Sequence, residues 1–176
     1  LHTQPVLLNA IPYRTSYYKR NWGFCITQKM LEKLKKEKIL DVFIDSEFKK
    51  DGSLTIGELL IKGESKEEIL ISTYICHPSL ANDNLSGAIM TAFLARYLLK
   101  KERLRYSYRI IWVPETIGAI AYCAMNELLI KKIQIGIVIT TVGGKGKLSY
   151  KQSWNKNHPI NSYTEKAFEE LGEEYI

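Results

Sequence analysis

The sequence predicts an α/β fold: a parallel-type sheet covered by helices on both faces, with a small strand-containing appendage on the N-terminal side. Three observations carry this. From Glu68 onward, short apolar runs alternate with helical ones, and those runs are too continuous for a sheet with one wet face. Before that point, Asp51-Gly52 sits between two apolar runs, the pattern of a hairpin. Between the two patterns lies the polar break Lys62-Gly63-Glu64-Ser65-Lys66-Glu67, which sets the expected boundary between a small α+β domain over 1–66 and an α/β domain over 67–176.

The elements follow in order. Leu1 to Lys19 carries Pro5, Pro12, Tyr13, Tyr17 and Tyr18 without a clear period, and reads as extended or loop chain. Thr27 stands in an N-cap position before a helix over about Gln28 to Lys38, with Met30, Leu31 and Leu34 as its apolar stripe. Asp41–Phe48 and Leu54–Lys62 are the two strands of the expected hairpin. Glu68–Ile75, Tyr106–Val113 and Ile133–Val142 read as buried strands, and Asn84–Lys101 and Ile117–Ile130 as the helices between them. Ser162 with Glu165 three positions on forms a capping box for a terminal helix over Thr164 to Tyr175. That helix runs to the last residue and the first residue is not Met, so the chain is expected to be a piece of a longer protein.

Composition narrows the function classes. The chain has 176 residues, 45% of them hydrophobic and 25% charged, which suits a packed globular fold. The longest apolar run, Ile133 to Val142, is far short of the ~20 residues a membrane helix needs. No partnership with a membrane is expected. Cys25, Cys76 and Cys123 are widely spaced and odd in number, which argues against a disulfide framework and for a reducing cytoplasm. Cys25 and Cys123 read as buried structural cysteines. The net charge of +6 comes mainly from Lys29, Lys33, Lys35, Lys36 and Lys38, and from Lys100, Lys101, Arg103 and Arg105. The first group shares a helix with Glu32 and Glu37, and the second closes a helix C-terminus, where cations suit the dipole. These are solvated faces, so no nucleic-acid partner is expected.

In an open α/β sheet, ligands bind beyond the carboxyl ends of the strands. The turns there are Cys76 to Asn84, Pro114 to Gly118, and Thr140 to Gly144, and the first two carry His77, Asp83 and Glu115. Each has a plain structural explanation: Asp83 or Asn84 as a helix cap, Glu115 as a carboxylate at a helix start, His77 as a loop histidine. Together on one rim, an imidazole and two carboxylates are also the ligand chemistry of a divalent ion, with a carboxylate left over as general base.

The run Ser72-Thr73-Tyr74-Ile75-Cys76-His77-Pro78-Ser79-Leu80-Ala81-Asn82-Asp83-Asn84-Leu85-Ser86-Gly87, with Pro114-Glu115-Thr116-Ile117-Gly118 downstream, resembles the zinc aminopeptidase-like family with its CHPS…AND-N-SG signature. That family is similar to the co-catalytic zinc aminopeptidases and often occurs in bacterial surface-polysaccharide gene clusters. Ala10-Ile11-Pro12-Tyr13 through Ser16-Tyr17-Tyr18 to Trp22-Gly23-Phe24-Cys25 resembles the small domain such proteins insert into the peptidase fold. The resemblance covers nearly the whole chain. It implies a zinc-peptidase-like fold and one or two Zn ions, with His77 and Asp83 as metal ligands and Asp83 bridging. Glu115 is implied as the base that activates water, and the substrate as a peptide or aminoacyl-type small molecule. The sequence departs from the aminopeptidase pattern at Thr116, which replaces a second glutamate. It departs again at Gly143 and Gly144, where an aspartate ligand is expected, and at Tyr74, where a histidine could have stood. The pattern's last histidine would fall after Ile176.

Two functions remain. One is a metal-dependent hydrolase of the aminopeptidase type acting on an amide bond. The alternative is a catalytically degenerate aminopeptidase-like binding module linked to surface-polysaccharide biosynthesis. A thiol hydrolase built on Cys76 and His77 is set aside, because adjacent side chains on an extended segment point to opposite faces. His158, in the polar loop Asn155 to Pro159, reads as a surface residue, which leaves the chain alone short of ligands and weakly active or inactive.

Overall fold

The computed structural model describes residues 1–14, 21–47, 49–77 and 80–176. They form two compact units, Leu1–Lys50 and Asp51–Ile176. In the first, a single helix, α1 (Gln28–Leu34), starts where expected: the Thr27 hydroxyl accepts from the Met30 amide at 3.1 Å. His2 and Cys25 make an isolated parallel bridge. Among the described residues of this unit no strand forms, so 41–47, expected as half of a hairpin, is irregular chain. Tyr17, Tyr18 and Phe48 lie outside the described residues.

The second unit is built on a four-stranded sheet in the order β1-β3-β2-β4, with β1 Gly57–Ile61, β2 Glu68–Tyr74, β3 Ser107–Val113 and β4 Ile135–Val138. Strands β2, β3 and β4 run parallel, while β1 is antiparallel to β3, so the sheet is mixed rather than purely parallel. The boundary expected at 66/67 is therefore displaced. The strand at 57–61 joins the main sheet as an edge, and the division falls at Lys50/Asp51. Its alternation suits that place: Leu59 and Ile61 pack on the core while Glu58 and Leu60 face outward.

Alternation along the strands divides the core. Ile71 and Ile110 pack with Ala95 and Leu98 of α2 (Gly87–Leu99). Their neighbours Leu70, Ile111 and Val113 pack with Tyr122 of α3 (Ile117–Met125) and with Ile130 of α4 (Glu127–Ile130). Consecutive residues on a strand point to opposite faces, so α2 and the α3–α4 pair lie against opposite faces. Coverage is partial, since Ile137 and Val138 of β4 stay exposed. On the α3 face, Arg109 forms a two-pronged ion pair with Glu68 at 2.6 and 3.0 Å and a second pair with Glu58, linking β3 to both neighbours.

Two helix starts differ from expectation. Residues Asn82–Ser86 form a kinked turn in which Asp83 and Asn84 depart from helical geometry, and α2 begins only at Gly87. A side chain at 87 would force its surroundings to shift, because a Cβ there would stand 2.5 Å from the Ile139 carbonyl oxygen and 2.6 Å from Asn84 Oδ1. The last helix, α5 (Pro159–Leu171), starts before the expected capping box. Pro159 takes the first helical position and His158 Nδ1 accepts from the Ile160 amide at 3.2 Å, while the Ser162 hydroxyl donates back to the Pro159 carbonyl. His158 is thus a half-buried cap rather than a free surface residue. Among the described residues no helix is long and apolar enough to cross a membrane.

Candidate functional site

The connection from β2 leads through α2 to β3 on one side, and β3 leads through α3 and α4 to β4 on β2's other side. Connections that part in opposite directions leave a crevice at the carboxyl ends of the two central strands. The turns after β2 and β3 open into it, and they carry His77, Asp83 and Glu115.

Asn84 anchors the first turn. Its side chain is fully buried, and its Nδ2 donates to Thr73 Oγ1 at 2.8 Å and to the Tyr74 carbonyl at 2.9 Å. Its Oδ1 accepts from the Thr141 amide at 2.9 Å. Thr73 in turn donates to the Ile139 carbonyl at 2.8 Å. One amide thereby ties the end of β2 to the chain leaving β4. Asn82 adds a second tie, accepting from the Gly143 amide at 2.8 Å. Of the two, only Asn84 was legible, as a cap candidate; the run Asn82-Asp83-Asn84 before an apolar helix was the available signal. Neither Asp83 nor Asn84 caps α2.

Asp83, set between them, faces solvent and accepts a 2.7 Å hydrogen bond from the Tyr74 hydroxyl. That hydroxyl accepts from Thr140 Oγ1, also at 2.7 Å. Burial raises the Tyr74 pKa first, and the hydrogen bond and charge of Asp83 and the charge of Glu115 raise it further, while the Thr140 bond opposes them. Tyr74 therefore stays protonated as Asp83's donor. The Asp83–Asn84 peptide is cis.

Glu115 is exposed, and its amide points at Cys76 Sγ, 3.1 Å away. The next residue, Thr116, has φ +58°, and Thr141 after β4 has φ +52°. Branched residues rarely adopt this region, so strain is concentrated in two turns of the crevice. His77 is exposed and lines a cavity of about 550 Å³ together with Leu54, Ile75, Cys76 and Ile117. Cys76 and His77 share that cavity because 75–77 has left the strand, so the opposite-faces argument does not hold there. Cys123 is exposed and Cys25 half-buried, against the expectation of two buried cysteines. Pro78 and Ser79 of the motif lie outside the described residues.

The structure thus brings Asp83 to the Tyr74 hydroxyl, places Glu115 in the turn after β3, and sets His77 in the lining of the cavity. Among the described residues, no group of three or more His, Cys, Asp or Glu side chains stands together so as to hold a metal ion. A catalytic zinc site takes three protein ligands and a water. The described residues do not by themselves make that shell.

Comparison with known proteins adds the following. A family model described as "Domain of unknown function (DUF4910)" matches residues 5–176. A Clostridium acetobutylicum protein named "Putative polysaccharide biosynthesis protein with aminopeptidase-like domain" is 46% identical over 175 residues, covering 99% of this chain and 40% of that protein. The crystal structure of a "putative peptidase" from Clostridium acetobutylicum superposes with a TM-score of 0.78 at 45% identity, over 99% of this chain and 40% of that one. The chain therefore spans about 40% of the length of the curated relative it matches.

Proposed function

The chain belongs to the DUF4910 family, and from that premise we propose that it carries part of an aminopeptidase-like hydrolase site, on the rim formed by the turns after β2 and β3. The observation that carries this reading is the Asp83 carboxylate, which accepts from the Tyr74 hydroxyl at 2.7 Å where β2 ends, with Glu115 in the turn after the neighbouring strand β3. The names of its relatives point the same way, one to an aminopeptidase-like domain and one to a peptidase. In this reading Glu115 takes the proton of the attacking water, within reach of the scissile carbonyl. Asp83 is held in one orientation by Tyr74, and His77 closes the rim beside the cavity.

Zinc, as one ion or two, is the cofactor proposed for the intact gene product, with His77 and Asp83 among its ligands. The substrate is a small peptide or aminoacyl compound, and the setting is the cytoplasm, which suits three unpaired cysteines. The link to polysaccharide biosynthesis in a relative's name extends to this chain as the proposed context. The 176-residue chain alone turns over amide substrates weakly or not at all, because His77 and Asp83 fall short of three ligands. The test is equilibrium dialysis against zinc. Asp83→Asn and His77→Ala should each weaken binding by the intact gene product at least about tenfold. Unmoved affinity in both variants refutes the ligand assignment.

A second reading, a binding module without chemistry, is favoured by one observation: no three-ligand group forms among the described residues. It predicts a folded intact product that binds its ligand in the crevice but neither holds zinc nor hydrolyses amides.

A further inference from the structure

Trp154, in the chain between β4 and α5, is fully exposed. Tryptophan is highly buried on average, because its indole carries a large apolar area. The loop that presents it is fastened on both sides. Asn161, in the first turn of α5 and only 4% exposed, accepts at Oδ1 from the Tyr150 hydroxyl at 2.8 Å and from the Ser153 amide at 3.0 Å. Its Nδ2 donates to the Asn155 carbonyl at 3.3 Å and to the Lys156 carbonyl at 2.9 Å. Tyr150 in turn packs against Phe168 and Tyr175, with ring centroids 6.3 and 5.9 Å away. One buried amide thus sets the indole outward before any ligand arrives, which lowers the ordering cost of binding.

Charge gives the loop a sign. From Ile139 to Thr164 the sequence has four lysines, Lys145, Lys147, Lys151 and Lys156, and no Asp or Glu. Glu165 and Glu174, which meet this segment, are engaged: Glu165 accepts from Gln152 Nε2 at 2.9 Å, and Glu174 pairs with Lys147. Among the described residues Lys145, Lys151 and Lys156 have no ion-pair partner. Lys151 and Lys156, both exposed, bracket Trp154 in sequence. An indole between two free ammonium groups complements a ligand that joins an apolar ring face to negative charge. A uronic acid carries both in one unit, since its carboxylate is attached directly to the sugar ring. We propose that the Trp154 loop is a docking site for an acidic glycan. The C–H face of one sugar ring packs on the indole, and uronic-acid carboxylates pair with Lys151 and Lys156. The ring and the charge follow from the loop; the choice of a sugar over a nucleobase rests on the polysaccharide context proposed above.

The test is calorimetric titration of the intact gene product with an oligogalacturonate, an uncharged galacto-oligosaccharide of equal length, and an oligouridylate. The oligogalacturonate should bind at least about tenfold more tightly than either of the others, and less tightly as NaCl is raised. Trp154→Ala should lower its affinity at least about tenfold, as truncating an interface tryptophan does, with an unchanged circular dichroism spectrum. Lys151→Gln combined with Lys156→Gln should lower the affinity and flatten the salt dependence. If Trp154→Ala fails to fold, the lysine pair decides. Without ligand, acrylamide should quench the fluorescence of the parent more than that of Trp154→Phe. Equal quenching would mean that another part of the gene product covers Trp154, and it overturns the site. So does failure of the oligogalacturonate to bind, equal or tighter binding of either other oligomer, or an affinity untouched by the folded variants. Glycan binding without hydrolysis of any amide keeps the site and removes the hydrolase reading. Amide hydrolysis without glycan binding does the reverse.

Discussion

Replacing Asn84 tests how the crevice is held together. The side chain is fully buried and makes three hydrogen bonds of 2.8 to 2.9 Å, to Thr73, Tyr74 and Thr141. Asn84→Ala removes all three and leaves the Thr141 amide and the Tyr74 carbonyl without their part-buried partner. At about 1 kcal/mol net per bond, with more for stranded groups that stay dry, the loss is about 3 to 5 kcal/mol. In urea denaturation with a slope of about 2 kcal/mol/M, the midpoint should fall by about 1.5 M or more. Gly146→Ala is the control, since a Cβ there meets nothing within 4 Å. Asn84→Asp keeps the shape but loses the amide donors. A buried carboxyl has a raised pKa, so its folded form is favoured below about pH 4 and stability is lost as pH rises through the folded pKa. A midpoint shift under about 0.5 M for Asn84→Ala would refute the view that this amide ties β2 to the chain after β4.

Three further outcomes follow from the same structure. Among the described residues Tyr122 Oη is buried with no hydrogen-bond partner, and burial raises its pKa above 10.0, with Arg109 opposing and Glu68 and Cys123 adding. Tyr122→Phe should therefore leave stability unchanged or raise it by up to about 1 kcal/mol at pH 7, read by thermal melting. It should also lessen the loss of stability above pH 10, because a raised pKa contributes stability below the unfolded value that disappears as pH climbs through the folded one. Gly87→Ala should cost about 1 to 3 kcal/mol in urea denaturation, since the new Cβ would lie 2.5 to 2.7 Å from Ile139, Asn84 and Thr73. Arg109→Met should cost about 3 kcal/mol by leaving Glu58 and Glu68 without their cation, and adding Glu68→Gln should recover part of it.

Local patterning disclosed the elements whose stability is local or whose strands are buried. Thr27 announced α1, and the apolar runs of β2 and β3 fell within a residue or two of their true ends. The hairpin failed because its first half had nowhere to bury its side chains. Phe43 is 90% exposed, and 57–61 instead pairs with β3, some fifty residues downstream, where Leu59 and Ile61 reach the core. A strand's partner is decided by packing, which an Asp-Gly turn signal does not report. The capping box misplaced α5 because Ser162 and Glu165 fit the pattern equally well inside the helix, one turn after the true start at Pro159. At the site, the carboxylates and the histidine were legible because strand ends collect chemistry. Asn84 was not, since an asparagine before a helix reads as a cap until Thr73 and Thr141, distant in sequence, are seen to meet it.

The central claim is that Glu115 takes a proton from water at an aminopeptidase-like site. It is tested most directly by the rate at which the intact gene product, supplied with zinc, hydrolyses leucine p-nitroanilide before and after Glu115→Gln. The account predicts turnover by the parent and a fall of about 10²- to 10⁴-fold in kcat for the variant, with zinc content unchanged. Undiminished turnover by Glu115→Gln, or none by the parent with zinc bound, would contradict it.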